Sequence, residues 1–210
     1  FDIANFCRSY WSKPYLAIEY YKKSLLLDSN NFAVNHNLAL CYNNIEKYDI
    51  SLDLYSKALK KSMNNSDSSL TYRNVAYIHY KLENYKKAIE NYNKAVDVSP
   101  NEPTYYFERG KYYYYQNESN SALDDFNKCL SFDPEDLECL IFKSRALYEL
   151  NDFKLALKEI DKSISLDSSD FYAFYYKILI FSSLEKYNEV ISLCNDLMKI
   201  FKDDDLSPFY

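Results

Sequence analysis

The chain has 210 residues, 48% hydrophobic and 27% charged, with a formal net charge of −6. This is a globular composition, enough for one domain or a run of small repeats; the acidic balance argues against nucleic acid, whose phosphates call for a Lys/Arg face, and no apolar run approaches the ~20 residues of a membrane span. A single glycine, Gly110, beside 24 Tyr and 13 Phe argues against β architectures, whose tight turns draw on Gly for positive φ, and favours an all-α fold.

The first residue is Phe1 rather than Met, so a fragment or processed form is expected, and no signal-peptide pattern is visible. The cysteines are Cys7, Cys41, Cys129, Cys139 and Cys194. Their odd number and the lack of Cys-x-x-Cys suit buried thiols in a reducing intracellular compartment, taken as the cytoplasm, better than a disulfide framework.

Read in chain order, one segment recurs. Lys23–Asp28, Lys57–Ser62, Lys94–Ser99, Lys128–Asp133, Lys162–Asp167 and Asp196–Phe201 follow one another at steps of 34, 37, 34, 34 and 34. Such a period is the mark of stacked repeats. The three additional residues of the second step are expected in a loop over the Asn/Ser/Asp-rich stretch 63–69. A column of mostly small residues runs through Ala17, Ser51, Ala88, Ala122, Ala156 and Val190. Four positions later stand Tyr21, Tyr55, Tyr92, Phe126, Ile160 and Cys194. Three positions earlier come Tyr48, Tyr85, Phe153 and Tyr187, and Pro100 and Pro134 close two repeats.

Apolar residues at i, i+4, i+7 and i+8, as in Ala88, Tyr92, Ala95 and Val96, mark amphipathic helices. Each repeat holds two of them, A and B, whose apolar faces are covered only by stacking. Asn117 and Asn151 stand where A turns into B, a place for left-handed Asn. Asn101 and Asp170 are N-cap candidates.

The pairs Ala39/Tyr42, Ala76/His79 and Gly110/Tyr113, with Ala88/Tyr92/Ala95 and Ala122/Phe126 and the closing prolines, resemble the tetratricopeptide repeat (TPR) family over almost the whole chain. The resemblance implies a right-handed superhelical solenoid of antiparallel helix pairs with helix A on the inside. The repeats are then a partial one at 1–31, five full ones at 32–68, 69–102, 103–136, 137–170 and 171–204, and a tail at 205–210 that opens a further helix. Ile178 and Val190 stand in small-residue columns of the last repeat, so its helices are expected to sit farther apart.

What the resemblance implies in function is a non-catalytic scaffold that holds a segment of a partner protein in the helix-A groove. The residues projected into it include Asn37, Asn74, Tyr77, Phe107, Lys111, Tyr114, Phe142, Arg145, Tyr148 and Tyr176, with Tyr115 and His36 beside them. Asn37 and Asn74 occupy equivalent places, where the family's Asn bonds an extended peptide backbone. The groove charges are mixed, Arg73, Lys81, Lys111 and Arg145 against Glu108, Glu138 and Glu149, which suits an apolar or amphipathic segment. The family's clamp for acidic chaperone tails is not matched: aligned from the second repeat, this chain has His36, Leu40, Asn74, Thr104 and Glu108 there. An alternative reading is a structural segment that stacks end to end in a larger complex or self-associates. RNA-reading helical repeats have a similar period, but the net acidity disfavours them.

No enzymatic constellation stands out. One glycine leaves no phosphate-binding loop. His79 falls in a packing column, His36 reads as a groove contact, and Cys129 and Cys194 read as small core residues. No His or Cys spacing suggests a metal, and no cofactor is expected. Asn64-Asn65-Ser66 and Asn117-Glu118-Ser119 match the short glycosylation pattern, one that is frequent by chance in an Asn-rich chain.

Overall fold

The computed structural model describes residues 14–62 and 64–200. They form eleven α-helices and, among the described residues, no strand. The helices are α1 (Pro14–Leu27), α2 (Phe32–Asn44), α3 (Tyr48–Leu59), α4 (Asn65–Lys81), α5 (Tyr85–Val98), α6 (Pro103–Tyr115), α7 (Ser119–Phe132), α8 (Leu137–Glu149), α9 (Phe153–Leu166), α10 (Phe171–Ser183) and α11 (Tyr187–Ile200). The chain divides into two compact units, Phe1–Tyr105 and Tyr106–Tyr210, and each is described by itself. Among the described residues no helix is long and apolar enough to cross a membrane. The tail at 205–210 and Cys7 lie outside the described residues.

Helix starts follow local chemistry. Asn31, Asn64, Asp136, Asp152 and Asp170 accept from the backbone N–H groups of Val34, Asp67, Cys139, Leu155 and Tyr172, satisfying donors that a helix end leaves open. Asn101 does not cap α6. Pro103 opens that helix and the Glu102 carboxylate takes the Thr104 N–H at 3.4 Å.

Every A-to-B turn carries one residue in the left-handed region: Glu46, Glu83, Asn117, Asn151 and Glu185, with φ of 58, 57, 61, 60 and 57°. The next residue's N–H then reaches back five positions, as in Lys47 to Tyr42 (2.9 Å), Asn84 to His79 (2.8 Å) and Glu118 to Tyr113 (2.9 Å). These bonds close carbonyls that the helix end would leave open. The two Asn positions were legible in the sequence. The three Glu were not, because Glu has no special liking for that conformation.

The insertion is a helical turn, contrary to the loop expected over 63–69. α4 begins at Asn65 and has 17 residues, against 13 in α2. Its additional turn is capped by Asn64 (2.8 Å to Asp67 N). Buried Ser69 anchors it by contacts with Tyr105 Oη (3.2 Å) and Ser99 Oγ (2.9 Å).

The small-residue columns are where helices meet. Ala39, Ala76, Ala88, Ala122 and Ala156 are fully buried. Ser51 Oγ donates to the Ala39 carbonyl at 2.7 Å, and Ser144 Oγ to the Ala156 carbonyl at 2.8 Å, so A and B lie close enough for a hydroxyl to bridge side chain to backbone. At Gly110 a Cβ would stand 2.7 Å from Phe126 Cε1. Phe126 has no exposed surface, as is true of Tyr55 and Ile160 in the same column. In the last repeat, where Ile178 and Val190 replace small residues, α10 and α11 touch over less of their length than α2 and α3.

One cysteine expectation is overturned. Cys129 and Cys139, both buried, form a disulfide from α7 to α8. The pairing links repeats rather than building a framework, and ten residues of separation gave no sequence cue. Cys41 and Cys194 are half-buried.

Candidate functional site

Asn37, Asn74 and Tyr77 of the projected groove belong to the first unit, and the other seven to the second. In the first unit the helix-A faces of α2 and α4 close on themselves. His36, expected as a groove contact, is only 6% exposed. Its Nδ1 lies 2.9 Å from Thr71 Oγ1, and its Nε2 lies 3.3 Å from Asn74 Nδ2. Thr71 spends its hydroxyl proton on the Asp67 carbonyl at 2.7 Å. His36 Nδ1 is therefore the donor and Nε2 the acceptor, a neutral tautomer assigned from this network. Burial lowers the His36 pKa to about 4, against a smaller opposing pull from Asp67. The ring meets Tyr55 edge-on at 5.2 Å. Asn74 is thus committed to His36, Asn37 is half-buried, and Tyr77 is 40% exposed with Lys81 Nζ 5.5 Å from its ring centroid.

The second unit is built otherwise. α6 contributes Phe107, Lys111, Tyr114 and Tyr115, α8 contributes Phe142 and Arg145, and α10 contributes Tyr176. The Phe142 ring sits at the centre, with Phe107 at 5.6 Å, Phe126 at 5.8 Å, Tyr114 at 6.1 Å and Tyr115 at 6.4 Å between centroids. Three of these pairs are edge-on, the arrangement that aromatic quadrupoles prefer. The Arg145 guanidinium carbon lies 4.3 Å from the Phe142 centroid, 4.7 Å from Tyr114 and 4.9 Å from Tyr176. Lys111 Nζ lies 4.9 Å from Phe107 and 5.3 Å from Phe142. These are cation–π distances. Burial raises the Tyr176 phenol above its usual pKa, with Arg145 pulling the other way.

The projection placed Phe107 too far outward. Phe107 is only 9% exposed and supports the cluster from beneath. Tyr148 packs against Phe153 at 5.4 Å, and its hydroxyl accepts from Ser183 at 3.1 Å. Lys111, Tyr114, Phe142, Arg145 and Tyr176 come together on one face, and Tyr115 beside them is 46% exposed. Phe126, placed by the sequence in a packing column, proves to be the ring on which Phe142 rests.

A second cluster escaped the sequence. The Cys129 and Cys139 sulfurs and an Asp136 carboxylate oxygen lie within 4.8 Å of one another, where no metal spacing had been seen. Paired as a disulfide the sulfurs are not thiolates, and only thiolates ligate, so the three could converge on an ion only after reduction.

The chain is similar to known helical-repeat proteins. The tetratricopeptide repeat family model matches residues 30–101 and 67–135. The C-terminal part of a TPR repeat-containing protein from Cytophaga hutchinsonii is 19% identical, with a TM-score of 0.79 over 95% of this chain and 81% of that one. The first TPR domain of Spaghetti (RPAP3), solved bound to the HSP90 peptide SRMEEVD, is 20% identical, with a TM-score of 0.56 over 58% of this chain and 97% of that one. The mouse (Mus musculus) BBSome complex member BBS4 is 33% identical over 84 residues, 40% of this chain but only 15% of its own length.

Proposed function

The chain belongs to the tetratricopeptide repeat family, whose members act as protein-interaction scaffolds, and from that premise we propose that it is a non-catalytic scaffold holding a peptide segment of a partner against the helix-A face of the second unit. The observation that carries this reading is the Phe142 cluster, in which rings and two cations share one face and Tyr115 is 46% exposed. Tyr and Arg are among the residues on which binding energy concentrates: Tyr offers area and a donor at a small entropy cost, and Arg a planar fork of donors. An apolar or amphipathic segment would lie over Tyr114, Phe142 and Tyr176, with Phe107 and Tyr148 as support. In the first unit Asn37 and Tyr77 remain as secondary contacts, while Asn74 holds His36. Spaghetti, with its bound peptide, lends the reading a precedent for the fold rather than for this site.

Selection from a display library of random dodecamer peptides tests it. Binders are expected, and Tyr114→Ala should weaken them by ~1–3 kcal/mol. Binders unaffected by Tyr114→Ala and Phe142→Ala, in variants with unchanged helical content, would place recognition elsewhere.

A second reading, self-association, is favoured by α11. Tyr187, Ile191 and Met198 are 62, 60 and 56% exposed. One repeat earlier the equivalent Phe153, Leu157 and Ile164 pack against the core. Such a stripe suits a further helix. Multi-angle light scattering showing one monomer mass at all concentrations would reject stacking of copies through it.

A further inference from the structure

The helix-A segments of the second unit carry five cations: Arg109, Lys111, Lys143, Arg145 and Lys177. Three have carboxylate partners. Arg109 binds Asp125 at 2.6 Å, Lys143 binds Glu159 at 3.0 Å, and Lys177 binds Asp161 at 2.7 Å. Lys111 and Arg145 have none among the described residues. These two occupy the same place in successive repeats, 34 positions apart, and both lie against the Phe142 ring. The Arg145 Nε is buried and makes no hydrogen bond with any described residue.

That combination is costly in a folded chain. Ring faces satisfy the charge of a guanidinium but not its N–H groups, which lie in its plane and aim away from the rings. A buried donor left open is destabilising, and with Nε shut off from solvent it is the terminal Nη groups of Arg145 that can meet an acceptor in the groove. Two cations with no acid of their own also repel one another across a shared ring, a penalty that an anion between them reverses.

We infer that Lys111 and Arg145 form a subsite for a side-chain carboxylate of the bound segment, with the apolar or aromatic residue beside that carboxylate resting on Tyr114 and Tyr115. The inference rests on the peptide-binding reading above and refines it: the amphipathic segment carries Asp or Glu next to its anchor. Arg is suited to the task because its planar fork meets a carboxylate with two parallel bonds while its face stays on the rings. Lys111 and Arg145 share the repeat position of Leu40, one of the chaperone-tail clamp positions, but stand two and three repeats later, and at the clamp positions of the third helix A this chain has Thr104 and Glu108.

The test repeats the dodecamer selection with the full chain in three forms: wild type, Arg145→Lys, and the Lys111→Met/Arg145→Met double variant. Met keeps the apolar stems against the rings, and circular dichroism checks that each form is folded. Wild type should enrich peptides with Asp or Glu within two residues of Leu, Phe or Tyr. The double variant should bind those peptides about 10–100-fold more weakly, the range of a charge-assisted hydrogen bond, yet still bind versions with the acid changed to its amide as wild type does. Arg145→Lys should fall between, because it keeps the charge and loses the fork. Equal acidic enrichment in wild type and double variant, or none in wild type, overturns the subsite. Peptides that depend on Tyr114 but not on Lys111 or Arg145 overturn this inference alone, whereas peptides that ignore Tyr114 overturn the parent reading.

Discussion

The two units lay out their helix-A faces in opposite ways. In the first, polar groups spend their hydrogen bonds on one another: the Asp67 backbone carbonyl and the side chains of Thr71, His36 and Asn74 form a chain with no charged cation in it. In the second, rings surround two cations that have no acidic partner among the described residues. Asn74 and Phe142 stand at equivalent repeat positions, yet one ties α4 to α2 and the other anchors a ring cluster. A shared period therefore dictates where a helix face lies without dictating what it offers. A saturated polar network stiffens its own wall, while unsatisfied donors beside exposed rings make a wall fit for a ligand.

Acid should break the comparison most sharply, since both histidines, His36 and His79, lie in the first unit. His36 has a folded pKa of about 4, below the usual ~6.5 of an unfolded histidine. Between those values the unfolded chain takes up a proton that the folded one refuses. Its contribution is complete above pH ~6.5 and lost as pH falls toward 4, by roughly 3 kcal/mol at most. Hydrogen exchange followed by NMR at pH 7 and pH 4.5 should show α2 and α4 losing more protection than α8 and α9. Uniform loss across both units would mean that the His36 network does not set acid stability.

A smaller effect is expected in the second unit from Gly110→Ala. Alanine suits a helix interior better by ~1 kcal/mol, but its Cβ would meet the Phe126 ring at 2.7 Å. That ring has no exposed surface and packs on Phe107 and Phe142, so it has little room to move. A net loss of about 1–2 kcal/mol follows, read as a lower denaturant midpoint with unchanged slope. Because Phe142 rests on Phe126, peptide affinity should fall with it. A stabilised variant would show that the Phe126 ring gives way to the added methyl group.

Much of the fold was open to reading, because small and aromatic residues must recur wherever two helices touch. The register of Ala39, Ala88 and Phe126 expresses that demand directly. The candidate site was less legible. Projecting a helix gives directions, not neighbours, and His36 and Phe107 share a repeat position that faces the next helix A rather than solvent. At the same position in α10, Tyr175 is 47% exposed, with no later helix A among the described residues. The added turn of α4 looked like a loop because Asn and Ser are poor helix interiors, yet here they cap and anchor it. The Cys129–Cys139 pairing had no local signature at all.

The five left-handed residues carry a further consequence. A bend that a glycine alone could adopt would tie each hairpin to one amino acid, but here glutamate serves in three turns and asparagine in two. What each hairpin inherits is a backbone shape secured by two carbonyls of the preceding helix, with the side chain left pointing into water. Such a corner asks for a residue that tolerates left-handed backbone and for no particular side-chain group. Substitutions can accumulate there while the spacing of every following helix stays intact, and the faces that differ between the two units can diverge on a frame that does not shift beneath them.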